Sequence, residues 1–242
     1  MDATDNATDN STTNARWRLS TVVSIRTETD TAKTFRLRLP EPSTHVAGQH
    51  EIIRLTAPDG YTAVRSYSIA SPPDGSDEIE LTVELLPGGE VSEFLHHEVQ
   101  LGDELEVRGP IGGWFVWRGD TPALLIGGGS GVVPLMAMLR LARRGGTADL
   151  LRLIVSVNRP EQLYYPNELP GPQTSVLYTE QAPPGTSRPI GRINRDDIPS
   201  LADPGLVYIC GSERFAEAAA DLVLGSGITA ERMRIEKFGP SG

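Results

Sequence analysis

Arg65-Ser66-Tyr67-Ser68 sets a cation, an aromatic plane and two hydroxyls within four consecutive residues. Further along, Gly127-Gly128-Gly129-Ser130-Gly131, with Pro134 just beyond, closes an apolar run and opens a helical pattern. Bare backbone N–H groups at such a junction can face a phosphate. A third segment, Pro87-Gly88-Gly89-Glu90-Val91-Ser92, offers backbone amides and the Ser92 hydroxyl where another helix begins. Together with Arg65 it could hold a pyrophosphate. A flat redox ring in one half of a molecule and a dinucleotide in the other is the arrangement hydride transfer requires.

The elements that must position these residues divide the chain in two. From Trp17 to about Trp117, six short segments alternate in the strand manner: 20–27, 34–39, 51–56, 64–70, 78–86 and 104–108. Turns such as Ala57-Pro58-Asp59-Gly60 and Pro72-Pro73-Asp74-Gly75 separate them, and a helix over 92–99, capped by Ser92, interrupts them. This spacing predicts an antiparallel barrel. After Gly119 apolar strands over 123–126, 151–157, 175–179, 206–210 and 233–238 alternate with helices over 132–144 and 213–224. That rhythm predicts a parallel sheet covered on both faces. The expected organisation is a tail over 1–15, an antiparallel six-stranded β-barrel over 16–119 and an α/β domain over 120–242.

Composition narrows the function classes. The 242 residues can build two cores without staples, and they contain one cysteine, Cys210. One cysteine excludes internal disulfides, a zinc cluster and a cysteine-ligated iron–sulfur centre within this sequence. A formal net charge of −10 argues against nucleic acid and anionic membranes, although it suits a basic redox partner. No apolar run is long enough to cross a bilayer, and the polar, acidic first 15 residues, with their repeated Ala-Thr-Asp-Asn, resemble neither a signal nor a transit peptide. The expectation is a cytoplasmic monomer.

The glycine loop satisfies G-x-G-x-x-G in no register and lacks the Gly-Lys-Ser/Thr of an ATPase loop. Taken alone, it reads equally as a tight strand–helix turn or as an anion cradle. Cys210-Gly211-Ser212 ends a later strand at the carboxyl edge, where open parallel sheets bind ligands, and Glu236-Lys237-Phe238-Gly239 adds a carboxylate and a ring at the end of the sheet. His96-His97-Glu98 is no chelate, because neighbours on a helix diverge by about 100°. His45, His50, Trp114 and Trp117 read as turn, core or interface residues.

In order, Arg-x-Tyr-Ser, Gly-Gly-x-x-Ser, Gly-Asp, Gly-Pro-x-Gly, Gly-Gly-Gly-x-Gly-x-x-Pro, Cys-Gly and a terminal Glu-x-Phe resemble the ferredoxin–NADP reductase superfamily. Within it, the chain is similar to the flavin/NAD(P)H modules of bacterial oxygenase reductases, from about Arg16 onward. The resemblance implies FAD on the barrel and NADH or NADPH on the α/β domain. It implies that Arg65 meets an FAD phosphate, with Ser66 beside it, that Tyr67 packs on the isoalloxazine, and that Ser68 hydrogen-bonds near the reactive nitrogen. Gly88, Gly89, Val91 and Ser92 would hold the FAD pyrophosphate. Gly127–Gly131 and Pro134 would take the coenzyme pyrophosphate, with Gly211 nearby. Cys210 and Glu236 would lie by the nicotinamide and Phe238 by the flavin; Ser68, Cys210 and Glu236 would shape the hydride-transfer pocket. Gly109–Phe115 would be a structural turn.

Relatives often carry Ser-x-Arg where this chain reads Ser156-Val157-Asn158-Arg159, which displaces the cation by one position and tilts the coenzyme reading to NADH. Arg192 and Arg214 remain other candidates for the nucleotide. The expected activity is that of an NAD(P)H-dependent flavoprotein reductase passing electrons to a separate acceptor protein: a ferredoxin, a cytochrome, an oxygenase or another redox enzyme. A reductase of free flavin or a small oxidant, and a non-catalytic flavin-binding sensor or regulatory subunit, are the alternatives.

Overall fold

The structure is a computed structural model that describes residues 16–169, 171–199 and 205–238. The expected tail over 1–15 and the chain end from Gly239 lie outside the described residues. Six antiparallel strands come first: β1 (Arg18–Thr29), β2 (Ala32–Arg38), β3 (His50–Thr56), β4 (Thr62–Ser68), β5 (Glu78–Glu84) and β6 (Glu104–Ile111). They pair in the order β4-β3-β6-β1-β2-β5, and a bridge from Ile69 to Leu81 draws β4 towards β5 and closes the barrel. Its core is Val22, Phe35, Leu37, Ile53, Ile79, Leu81, Val83 and Val107, the inward residues of alternating strands. Helix α1 (Glu90–His97) buries Val91 and Leu95 in the same core.

The second half contains β7 (Ala123–Gly128), α2 (Val132–Arg144), β8 (Leu151–Val157), β9 (Thr174–Tyr178), β10 (Leu206–Ser212), α3 (Glu213–Gly225) and β11 (Met233–Phe238). These strands are parallel in the order β11-β10-β7-β8-β9. Continuous apolar strands such as Leu124-Leu125-Ile126 are buried because helices cover both faces: α2 packs on Leu125, Leu153 and Val155, α3 on Leu124, Ile126 and Ile209. Strand order reverses between β7 and β10, so their carboxyl ends form the crevice where open α/β sheets bind ligands.

Helix α2 explains how the halves are joined. Val132 to Leu139 are all buried, the mark of a helix enclosed on every side. One side meets the sheet, and the other meets Ala47, Ala70, Phe115 and Trp117 of the barrel half in one continuous apolar cluster. Tyr208 donates to the Val116 carbonyl at 2.6 Å and stands edge-on to Phe115. Trp117 is core, with its indole N–H on the Thr121 carbonyl.

Candidate functional site

On the barrel side the geometry begins with β4, the end strand of the sheet. Arg65, Tyr67 and Ser68 stand opposite Ile53, Glu51 and His50 of β3. Arg65 is exposed, and its one hydrogen bond among the described residues goes to the neighbouring Val64 carbonyl. Ser66 is exposed too, whereas Tyr67 is half-buried and Ser68 buried. Burial pushes the Tyr67 phenol up to about 12, with Arg65 pulling the other way, so the ring presents a neutral plane. A mobile cation and a fixed ring two residues apart fit a phosphate and a flat heterocycle.

Helix α1 corrects one expectation. Its N-cap is Gly89; Ser92 is the third helical residue, and its hydroxyl donates to the Gly89 carbonyl at 3.0 Å. The amides of Gly88 and Gly89, expected to be open to an anion, are occupied by the Glu93 carboxylate (2.7 Å) and the Leu86 carbonyl (2.9 Å). The amides of the first turn, Glu90, Val91 and Ser92, are further donors at this loop, since a helix leaves them without i−4 partners. The helix begins at Glu90, two residues before the start expected at Ser92, and the positive φ of Gly88 folds the preceding loop back on itself. Tyr61, at the start of β4, donates to Glu90 at 3.0 Å and ties this turn to the Arg65 strand.

Most of the glycine loop after β7 is explained by close packing. A Cβ on Gly128 would enter the Phe215 ring, and one on Gly131 would enter the Cys210 backbone. Gly129 differs: it has φ +55° and open space where a side chain would stand. Gly129–Gly131 form a 3-10 turn that leads into α2, whose third residue is Pro134. The loop is thus tight on its packed side and open at Gly129 and Ser130, which fits an anion at the helix N-terminus.

Beside it, Cys210 is opposite Gly127 on one flank and Glu236 on the other. Its thiol is fully buried and pushed well up by burial and by the Glu236 charge, so it is no thiolate nucleophile. Glu236 is half-buried with no hydrogen-bond partner among the described residues, and burial raises its carboxyl to about 7. Gly211 is on β10 between Cys210 and Ser212, and Phe238 pairs with Ser212 at the end of β11, 36% exposed. Trp114, three residues after the end of β6, lies 3.8 Å under the Arg234 guanidinium of β11, two residues before Glu236, and so ties the barrel half to this edge. Trp114 is itself 62% exposed at this seam.

The outer loops sort the other candidates. Asn158 accepts from Thr179 at 2.8 Å, and Arg159 is paired with Glu180 at 2.9 Å. Arg192 and Arg214 are exposed. The loop carrying Arg192 is held by Arg188, which grips Asp197 through two bonds of 2.8 and 2.7 Å and donates to the Gly191 and Arg192 carbonyls. His96 is buried with its ring nitrogen on the Val83 carbonyl while His97 is exposed, and His45 is bonded to Ser43 and the Ser71 carbonyl.

Sequence reasoning missed the residues that set the two halves against each other. Arg140 of α2 bonds Glu80, the Ala70 carbonyl and Glu168. Tyr165, at φ +54°, shares a 2.5 Å hydrogen bond with Thr82 of β5, and its amide donates to Glu28 of β1. The only available signal was the Tyr164-Tyr165 pair in an otherwise polar loop.

A barrel carrying a cation and an aromatic plane, fused to a parallel sheet with an open glycine loop at its switch point, defines a two-domain dinucleotide oxidoreductase. Residues 19–116 match the oxidoreductase FAD-binding domain and residues 125–221 the oxidoreductase NAD-binding domain. The chain is 30% identical over 214 residues to ferredoxin–NADP reductase B of Sorangium cellulosum, covering 79% of this chain and 84% of that protein. It is 29% identical over 239 residues to the ferredoxin–NAD(P)(+) reductase component of the naphthalene 1,2-dioxygenase/salicylate 5-hydroxylase systems of a Ralstonia species, covering 94% of this chain and 71% of that one. In fold it is similar to the flavohem-like FAD/NAD-binding domain of nitric oxide dioxygenase from Vibrio cholerae, with a TM-score of 0.82 at 22% identity over 92% of this chain and 99% of that one. The chain belongs to the ferredoxin–NADP reductase superfamily. It is an NAD(P)H-dependent flavoprotein oxidoreductase with FAD as its flavin.

Proposed function

We propose that this protein is the reductase of a multicomponent redox system, accepting hydride from NADH on its FAD and delivering electrons to a separate iron–sulfur or oxygenase component. The observation that carries this reading is that α2, which follows the open glycine loop, packs in one apolar cluster with Ala70, two residues beyond Ser68 of the Arg65–Tyr67–Ser68 strand. The oxygenase-system names of its relatives support an acceptor of this kind.

FAD supplies the exchange between a two-electron donor and one-electron acceptors. Arg65 and the first-turn amides of α1 bind its phosphates, and Tyr67 fixes the plane of its ring. Ser68 orients the ring edge by hydrogen bonding. The N-terminus of α2, with Gly129 and Ser130, binds the coenzyme pyrophosphate. Cys210 and Glu236 would line the side of the pocket that takes the nicotinamide, and no side chain needs to act as a nucleophile. Phe238 would shield the flavin from water.

The coenzyme reading is NADH, because Arg159 is already neutralised by Glu180, and that carboxylate opposes a 2′-phosphate while suiting a ribose hydroxyl. Comparing kcat/KM for NADH and NADPH tests it: Glu180→Ala should free Arg159 and narrow the NADH preference by about tenfold. Steady-state turnover with purified ferredoxins, oxygenase components and haem proteins, against free flavin alone, tests the acceptor. Turnover confined to free flavin would replace this reading with a flavin reductase.

A further inference from the structure

Three buried side-chain atoms lack a hydrogen-bond partner among the described residues, Arg18 Nε, Ser20 Oγ and Glu51 Oε2, and two of them belong to one ion pair. Glu51 is fully buried and holds Arg18 through a single contact of 2.9 Å. The four strands involved are consecutive in the sheet, β4-β3-β6-β1. Tyr67 is opposite Glu51 on β3, Gly109 of β6 comes next, and Arg18 and Ser20 follow on β1. Glu51 and Arg18 meet across β6 because Gly109 has no side chain: a Cβ there would overlap the Glu51 carboxylate.

This pair is poorly built for stability. A buried ion pair offsets its desolvation only when its remaining donors and acceptors are satisfied, and an apolar pair of similar volume usually stabilises as well. Its position is more telling than its strength. Directly opposed residues in an antiparallel pair project from the same face with Cβ atoms about 5 Å apart, so Glu51 is the lateral neighbour of Tyr67 across the sheet.

We infer that Glu51 is a positioning residue of the flavin site, which with Arg18 forms a neutral charge pair beside Tyr67 that fixes this ring and balances the electrostatic field on the flavin. The inference rests on the reading that Tyr67 packs on the isoalloxazine. Arg65, exposed on β4 two residues before Tyr67, is a further charge acting on this ring. Glu51 is the counter-charge that keeps the Arg18 cation from biasing the flavin towards its reduced, more negative form.

The test is the flavin midpoint potential and absorbance of the full-length FAD-loaded protein, with thermal stability measured in parallel. Glu51→Gln leaves Arg18 uncompensated and should favour reduced flavin by about tenfold, a rise of about 30 mV for a two-electron couple. The double variant R18M/E51Q removes both charges and should return the potential towards the parent value, even though it removes more structure. Glu51→Asp keeps the charge and should leave the potential within about threefold of the parent ratio, so it carries the test if E51Q holds flavin poorly. An E51Q protein of lower stability with unchanged potential and absorbance would reduce the pair to a fold element and overturn the inference. Tyr67→Ala separates the two levels: if its flavin absorbance and potential match the parent's, the platform reading fails, whatever Glu51 does.

Discussion

Arg65 and Glu236 carry the sharpest residue-scale consequences. Arg65 is exposed and committed only to a carbonyl one residue away, so its guanidinium is free to form a charge-assisted bond to phosphate. Arg65→Ala should weaken FAD binding by about 10- to 100-fold, as a lost charged hydrogen bond of about 1.5–3 kcal/mol implies, with little change in folding. Fluorescence titration of the flavin-free protein measures it. Glu236 titrates about 7 in the folded chain against an ordinary carboxylate value when unfolded. Between those two values the folded state keeps a proton that the unfolded state loses, so stability falls as pH rises through the window. Glu236→Gln has no ionisation to lose, and should be more stable than the parent at pH 8 by about 1–3 kcal/mol, yet equal to it below pH 4. Urea denaturation at the two pH values checks the sign. In the same variant, the inflection near pH 7 in the rate of flavin reduction should disappear.

At the scale of elements, the sequence yields whatever is written in local pattern. The bounds of α2, β8 and β11 were legible residue for residue, since apolar runs end there at glycine, a polar turn or a change of rhythm. The cap of α1 was not, because choosing between Gly89 and Ser92 depends on how Gly88 folds back onto Glu93. The glycine loop was legible as a strand–helix turn, but only packing shows that Gly128 and Gly131 serve Phe215 and Cys210 while Gly129 is open. Contacts between the halves were invisible for another reason: Arg140 and Glu80 are 60 residues apart and belong to no period. Arg140 is 13% exposed and bonded to three groups, so Arg140→Met leaves Glu80 and the Ala70 carbonyl short of a partner. The expected loss is about 3 kcal/mol. Denaturation followed separately by flavin fluorescence and far-UV dichroism should show the two halves melting apart in that variant and together in the parent.

For the whole molecule, the central claim is that the two halves make one hydride-transfer device. α2 serves both of them, with one side on the sheet and the other on Ala47, Ala70, Phe115 and Trp117. Tyr165 holds β5, and Tyr208 holds the segment after β6. Near-contact transfer demands that the two halves be held against each other, and these contacts do so. The formal charge of −10 adds an expectation for the next step: reduction of a basic acceptor protein should slow as ionic strength rises, while flavin reduction should not. The most direct test of the device is anaerobic titration of the FAD-loaded protein with NADH and then NADPH, following the oxidised-flavin absorbance. Bleaching should be complete at one equivalent of NADH and slower with NADPH. A protein that binds flavin but is bleached by neither coenzyme would contradict the claim.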